Sequence, residues 1–116
     1  MSRARRAAAA RLQESAPVFA ALGDPTRLRL VARLCADGPL SITRLSEDVD
    51  VTRQAVTKHL VALADAGLAR RRREGREQIW ELETRRLARA RQTLDAISGQ
   101  WDSAIARLRA FVETEP

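Results

Sequence analysis

Cysteine, aromatic residues and long apolar runs are what these 116 residues have least of. A single cysteine, Cys35, rules out an internal disulfide, so a reducing cytoplasmic setting is expected. Two Trp, two Phe and no Tyr leave Leu, Val, Ile and Ala to fill the interior, which favours helices. No apolar stretch approaches the ~20 residues that a membrane-spanning helix needs. The start, MSRARRAAAARLQESAP, offers four alanines where a signal-peptide core has roughly 7–15 apolar residues, and Arg11 interrupts it. A basic, exposed helical arm over residues 1–14 is expected instead. One histidine cannot supply a His–carboxylate–nucleophile set, and neither a Gly-rich phosphate loop nor a nucleophile elbow is present, so no enzyme is expected.

Lysine is also scarce. Of the 21 basic residues only Lys58 is lysine, and 15 acids leave a formal charge of +6. Abundant arginine says little by itself, but its placement says more. Val51 to Arg76 holds seven basic residues (Arg53, Lys58, Arg70 to Arg73 and Arg76) against Asp65 and Glu74, a local net of +5. Ser41 to Asp50 holds Arg44 against Glu47, Asp48 and Asp50, a net of −2. Basic charge concentrated in one segment points to a surface that faces a polyanion.

Apolar residues at 45% and charged residues at 31% fit one folded domain, expected over residues 15–113. Ser15-Ala-Pro17 reads as the start of a short helix, with Val18, Leu22 and Phe19 inward and Gly23 closing it. Asp24-Pro25 opens the next helix, Asp as N-cap and Pro in the first turn. Leu28, Leu30, Val31, Leu34 and Cys35 surround that helix so fully that it should be buried on all sides. A short helix from Ile42 to Val49 follows, then Thr52 as N-cap of a helix running to Ala66, stopped by Gly67. Leu68 to Arg73 and Glu77 to Leu82 are strand-length runs joined around Gly75, a hairpin signal. After Thr84, Leu87, Ala90, Leu94, Ile97, Trp101, Ala104, Leu108 and Phe111 recur at spacings of three and four, a heptad-like stripe with a break near Ser98-Gly99. The expected fold is therefore mainly α with a small β-hairpin, in the order of a winged helix-turn-helix.

With Val56 at zero and about 100° per residue, Leu60 and Leu63 fall within about 40° of it on the helix that Thr52 opens. Gln54, Val61 and Asp65 lie near the opposite side, with Lys58 next to them and Thr57 and Arg53 on the flank, so the exposed face presents Arg53, Gln54, Thr57 and Lys58 in its N-terminal half. Gln pairs bidentately with adenine, Arg or Lys with guanine, and Thr with base edges or phosphate. The N-terminal part of a recognition helix does this work in helix-turn-helix proteins. Thr52 can cap the helix and also reach a phosphate. In the run LARRRREGREQIW, strand alternation sends Arg70 and Arg72 one way and Arg71 and Arg73 the other, with Glu74-Gly75-Arg76 at the tip. The tip-proximal Arg72, Arg73 and Arg76 are the expected contacts to phosphate or minor groove.

The stretches ALGDPTRLRLVARL (21–34), GPLSITRLSEDVDVTRQAVTKHLVALADAGLA (38–69) and REGREQIWEL (73–82), followed by the long terminal helix, resemble the ArsR-type family of bacterial winged-helix regulators. The resemblance spans roughly residues 15–113. It implies a homodimer that pairs its first and last helices and binds an inverted-repeat operator in double-stranded DNA as a repressor. Val18, Phe19, Leu94, Ile97, Trp101, Ile105, Leu108 and Phe111 are then the expected dimer interface. At the position of His59 the family contacts DNA or braces the helix, which makes His59 a further expected DNA-margin residue.

The chain departs from the family's metal sensors. Where those carry Cys-Val-Cys, this chain has Ser41-Ile42-Thr43, and residues 84–116 contain no His or Cys. A tight Zn²⁺ or arsenic-type site needs close to four thiolate or imidazole ligands, so no metal or other cofactor is expected. Cys35 is expected to be a small packed side chain rather than a redox switch. Two other readings use the same residues: a small-molecule-responsive repressor with a ligand pocket at the dimer base, and a helical protein–protein adaptor. The effector, if there is one, is unknown from sequence.

Overall fold

A computed structural model describes residues 2–114. Helix α1 (Arg3–Leu22) is followed by α2 (Pro25–Asp37), the two-residue strand β1 (Leu40–Ser41), α3 (Ile42–Ser46) and α4 (Arg53–Asp65). Strands β2 (Ala69–Glu74) and β3 (Glu77–Leu82) lead into the 30-residue α5 (Thr84–Glu113). The sheet is antiparallel in the order β1-β3-β2.

Local chemistry explains most boundaries. Asp24 accepts the Arg27 N–H at 3.0 Å while Pro25 takes the first turn, where its missing N–H costs no hydrogen bond. Ser41 and Thr52 cap α3 and α4 by accepting the N–H groups of Arg44 and Ala55. At the far end of α4, Gly67 takes φ 79°, and the N–H groups of Gly67 and Leu68 return to the carbonyls of Ala64 and Leu63, both at 2.9 Å. That is a Schellman closure, and the buried pair Leu63 and Leu68 supplies its hydrophobic contact. In the hairpin, Glu74 pairs with Glu77, so Gly75 and Arg76 form a two-residue turn with Gly75 at φ 63°. Arg76 keeps a negative φ, the pattern of a II′ turn, whose twist matches its strands.

The core lies where α2, α3, α4 and the sheet converge on Leu30, Leu34, Leu45, Val56, Leu60, Leu63, Leu68 and Trp80. Val56, Leu60 and Leu63 are completely buried and hold α4 against this core, each stabilising by roughly 1.5–3 kcal/mol. Helices α1 and α5 run antiparallel. Phe19 and Leu22 lie beside Leu87 and Leu94, and further along Ala8 and Leu12 lie beside Ile97 and Gln100. A buried hydrogen bond of 2.9 Å between the hydroxyls of Ser15 and Thr93 and an ion pair between Glu14 and Arg89 fix their register. The molecule is 71 Å long, since α5, about 45 Å by its residue count, outreaches the body.

Several expectations change. Helix α1 runs unbroken from Arg3, capped by Ser2, so the basic arm and the first helix are one element and Ser15 is an interior residue rather than a cap. Pro17 sits inside that helix. Helix α2 buries only Leu30, Val31 and Leu34; Leu28 and Cys35 are exposed, because they project about 140–160° away from Leu30. Helix α3 ends at Ser46 rather than Val49, and α5 passes through Ser98-Gly99 without interruption. Strand β1, too short to announce itself in sequence, adds a third strand.

Candidate nucleic-acid interface

Helix α4 presents its N-terminal half as the angular reading predicts. Arg53, Gln54 and Lys58 are exposed, while Val56 and Leu60 face the core. Thr57 is half-buried and donates its hydroxyl hydrogen to the Arg53 carbonyl at 3.1 Å, which leaves its oxygen free only as an acceptor. Thr52 uses its side-chain oxygen on the Ala55 N–H, which leaves its own hydroxyl hydrogen available to an acceptor outside the helix. None of Arg53, Gln54 and Lys58 has a side-chain hydrogen bond or ion pair among the described residues. Their donors are available to a ligand.

His59 is placed differently. Its side chain is 24% exposed and turns toward the start of α2, with Nδ1 3.4 Å from Arg27 Nη1 and 3.8 Å from Asp24 Oδ2. Arg27 also donates through Nε to the Ala21 carbonyl and through Nη2 to that of Ala20. One guanidinium thus links the end of α1, the start of α2 and the middle of α4. The Arg27 N–H, bonded to the Asp24 carboxylate, holds that carboxyl below its ordinary pKa of 3.8, and the His59 and Arg27 side chains act in the same direction. These contacts tie His59 to the start of α2.

The four consecutive arginines divide as strand alternation requires, and their partners distinguish them. Arg70 donates to Glu81 at 2.9 Å and lies 3.4 Å from Glu83, and Arg72 stands 3.7 Å from Glu74. Arg71, opposite Trp80 in the ladder, places its guanidinium 5.8 Å from the centre of the indole ring, a cation–π contact. Arg73 and Arg76, at the tip, have no ion pair among the described residues. Of the expected wing contacts, then, Arg73 and Arg76 are free cations, and Arg72 lies on the other face from Arg73 beside a carboxylate. The acidic partners of Arg70 were the signal that sequence reasoning missed.

The residues expected to pair two chains also separate. Val18 is 1% exposed and belongs to the protomer's own core, so it is not at the pairing surface. Phe19, Leu94, Ile97, Trp101, Ile105, Leu108 and Phe111 are all exposed, and Leu12 and Val112 join them. On α5 the large apolar residues fall within about 60° of Ala90. Near Ala90 and Thr93 that side is covered by α1; from Trp101 onward it is bare. Phe19, Leu22, Leu87 and Leu94 line a groove of about 430 Å³, with Thr84 and Arg91 at its edge.

Comparison with known proteins agrees with this layout. A family described as a helix-turn-helix domain matches residues 22–72. The HTH-type transcriptional regulator Rv2034 of Mycobacterium tuberculosis is 36% identical over 95 residues, which cover 82% of this chain and 85% of that protein. Among solved structures, an ArsR-like transcriptional regulator from Rhodococcus sp. RHA1 superposes with a TM-score of 0.74 at 34% identity, covering 90% of this chain and 97% of that one. A homodimeric winged helix-turn-helix DNA-binding domain from Mycobacterium bovis superposes with a TM-score of 0.61 at 26% identity, covering 79% and 84%.

Proposed function

The chain belongs to the ArsR-type family of winged helix-turn-helix transcriptional regulators, and from that premise we propose a homodimeric repressor that binds an inverted-repeat operator without a metal cofactor. The observation that carries the DNA reading is the set of exposed cations and donors that have no side-chain partner among the described residues. Arg53, Gln54 and Lys58 project from the start of α4, and Arg73 and Arg76 project from the wing. In this reading Gln54 and Lys58 approach base edges with Thr57 as an acceptor. Thr52, Arg53, Arg73 and Arg76 hold phosphate or minor groove, and Arg72 contributes by exchanging Glu74 for phosphate. His59 and Arg27 position α4 without touching the duplex.

Dimerisation through α1 and α5 is supported by the bare apolar stripe, and the similar Mycobacterium bovis domain is homodimeric. A twofold pair presents two copies of α4, which is what an inverted repeat requires. Metal independence is supported by composition and placement: one Cys and one His per protomer cannot complete a four-ligand thiolate or imidazole site, and they stand on different helices, Cys35 exposed on α2 and His59 on α4 turned toward Arg27. Repression is the mode that the family resemblance implies, with the cytoplasm as its setting.

A gel shift on the DNA flanking the gene, repeated over a salt series, tests the proposal. Binding should weaken steeply with salt, and Arg73→Ala or Arg76→Ala should flatten the slope by about one unit per half-site while weakening all sequences alike. Gln54→Ala should instead relax discrimination at one or two base pairs, by about 1–3 kcal/mol. Binding no tighter than to random duplex would refute it. Chelator should leave affinity unchanged.

The groove beside Phe19 and Leu94 favours a second reading, a repressor released by a small apolar ligand seated there. Its volume lies within the roughly 300–1,000 Å³ range of ligand sites, and Arg91 could meet an acidic group. Operator release by such a ligand, lost in Phe19→Ala, separates the two readings.

A further inference from the structure

Among the exposed side chains of α4, Val61 is the exception. It is 39% exposed and is the one large apolar residue on the outer side of this helix among the described residues. Turning about 100° per residue puts Val61 about 20° from Gln54 and about 60° from Lys58, so it shares their face. An exposed helical position is served better by Ala, Lys or Glu, because a β-branched side chain loses χ1 freedom against the preceding turn. Val61 therefore gives up helix propensity while 39% of its surface stays in solvent, against none of that of Val56. The other exposed valine nearby, Val51, lies in the turn before the helix.

Val61 stands seven residues beyond Gln54, a rise of about 10 Å along α4. Base pairs in a duplex are spaced about 3.4 Å apart, so this rise matches about three steps. Two methyl groups make no hydrogen bonds. The feature of a major-groove base edge that such a side chain recognises is the C5 methyl of thymine.

The geometry points to Val61 as a specificity-determining residue that packs on a thymine methyl about three base pairs from the position read by Gln54. This rests on the reading of α4 as the recognition helix. Contact removes the valine methyls from water only in the complex, and only with the base that carries a methyl. The operator half-site is therefore expected to hold an A·T pair at that distance.

The test begins with duplexes enriched from a random library by the wild-type protein. In the enriched half-site each thymine is replaced singly by deoxyuridine, which keeps the base pair and deletes the methyl. Wild type should lose about fourfold in Kd at one thymine per half-site, the scale set by one buried methyl-sized group. Val61→Ala should bind the thymine duplex more weakly by a similar factor and should no longer distinguish it from the uracil duplex. Its helix should be at least as stable by circular dichroism, since Ala is the better helix former. Leu28→Ala, which removes an exposed side chain from α2, should keep the full discrimination. Wild-type indifference to every uracil, or undiminished discrimination in Val61→Ala, overturns the assignment while leaving the recognition helix in place. If no sequence is enriched at all, the recognition-helix reading fails and Val61 fails with it.

Discussion

Replacing Trp101 by alanine should split the dimer without unfolding the protomer. Trp101 is 67% exposed and lies outside the core cluster, so the folded protomer does not depend on it. A tryptophan presents about 150–250 Å², so the exposed part is on the order of 100–170 Å², worth roughly 2.5–4 kcal/mol when buried at about 25 cal/mol per Å². Alanine retains part of that area, leaving a loss of about 2–3 kcal/mol per protomer. A twofold interface counts the residue twice, for a total of about 4–6 kcal/mol, or roughly 10³- to 10⁴-fold in the dimer dissociation constant. Sedimentation velocity over a concentration series reads that shift directly. Fluorescence gives a second readout, because Trp80 is buried in the protomer and Trp101 is not. Diluting the wild type should red-shift the emission as Trp101 meets water. A dissociation constant unchanged within a factor of two, with helicity intact, would refute the claim that the bare half of α5 is an interface.

Other consequences follow from single contacts. Thr93→Val strands the buried Ser15 hydroxyl and should lower the unfolding free energy by about 1–3 kcal/mol, read as a lower denaturation midpoint at unchanged m-value; adding Ser15→Ala should recover part of the loss. Thr52→Ala removes the cap of α4 and should cost about 1 kcal/mol in urea unfolding, together with a uniform loss of DNA affinity. Asp24 has a folded-state pKa below its ordinary 3.8, so its contribution to stability is fully present above that value and is lost as pH falls through the lower, folded pKa. An acid titration of unfolding should therefore be shallower below pH 3.8 in Asp24→Asn, which keeps the cap and removes the titration.

How much of this was legible in the sequence depends on how local the signal was. The boundaries of α4 were readable because each is set by a residue acting within one turn: the Thr52 oxygen at the start, the left-handed Gly67 at the end. The face of α4 was readable for the same reason, since three buried residues at helical spacing fix all the others. Where tertiary contact outweighs local preference, the reading failed. Ser15-Ala-Pro17 carries a sound start signal, and proline inside a helix costs about 3 kcal/mol. Yet α1 continues through it, because Ser15 is bonded to Thr93, Glu14 to Arg89, and Val18 is packed in the core, all across a gap of chain that no local rule spans. The converse error lies in α2. Apolar residues on every side were taken to mean burial on every side, but the protomer covers only the side of Leu30 and Leu34 and leaves Leu28 and Cys35 in solvent.

In the wing, alternation correctly divided the four arginines into two pairs, but it could not rank the pairs. The ranking depends on residues of the next strand that the ladder brings opposite. Glu81 lies across from Arg70 and Trp80 across from Arg71, and only Gln78 lies across from Arg73. Arg70 must therefore break an ion pair before it can hold a phosphate, and Arg71 must leave an indole face; Arg73 gives up nothing but water. The distinction is energetic as well as geometric. A charge already satisfied by a neighbouring carboxylate returns less on meeting DNA, and Glu81 would face the phosphates unpaired. Unequal partners in the folded chain thus predict unequal contributions from a run of identical residues, and in the proposed complex the wing's grip is expected at its tip, in Arg73 and Arg76.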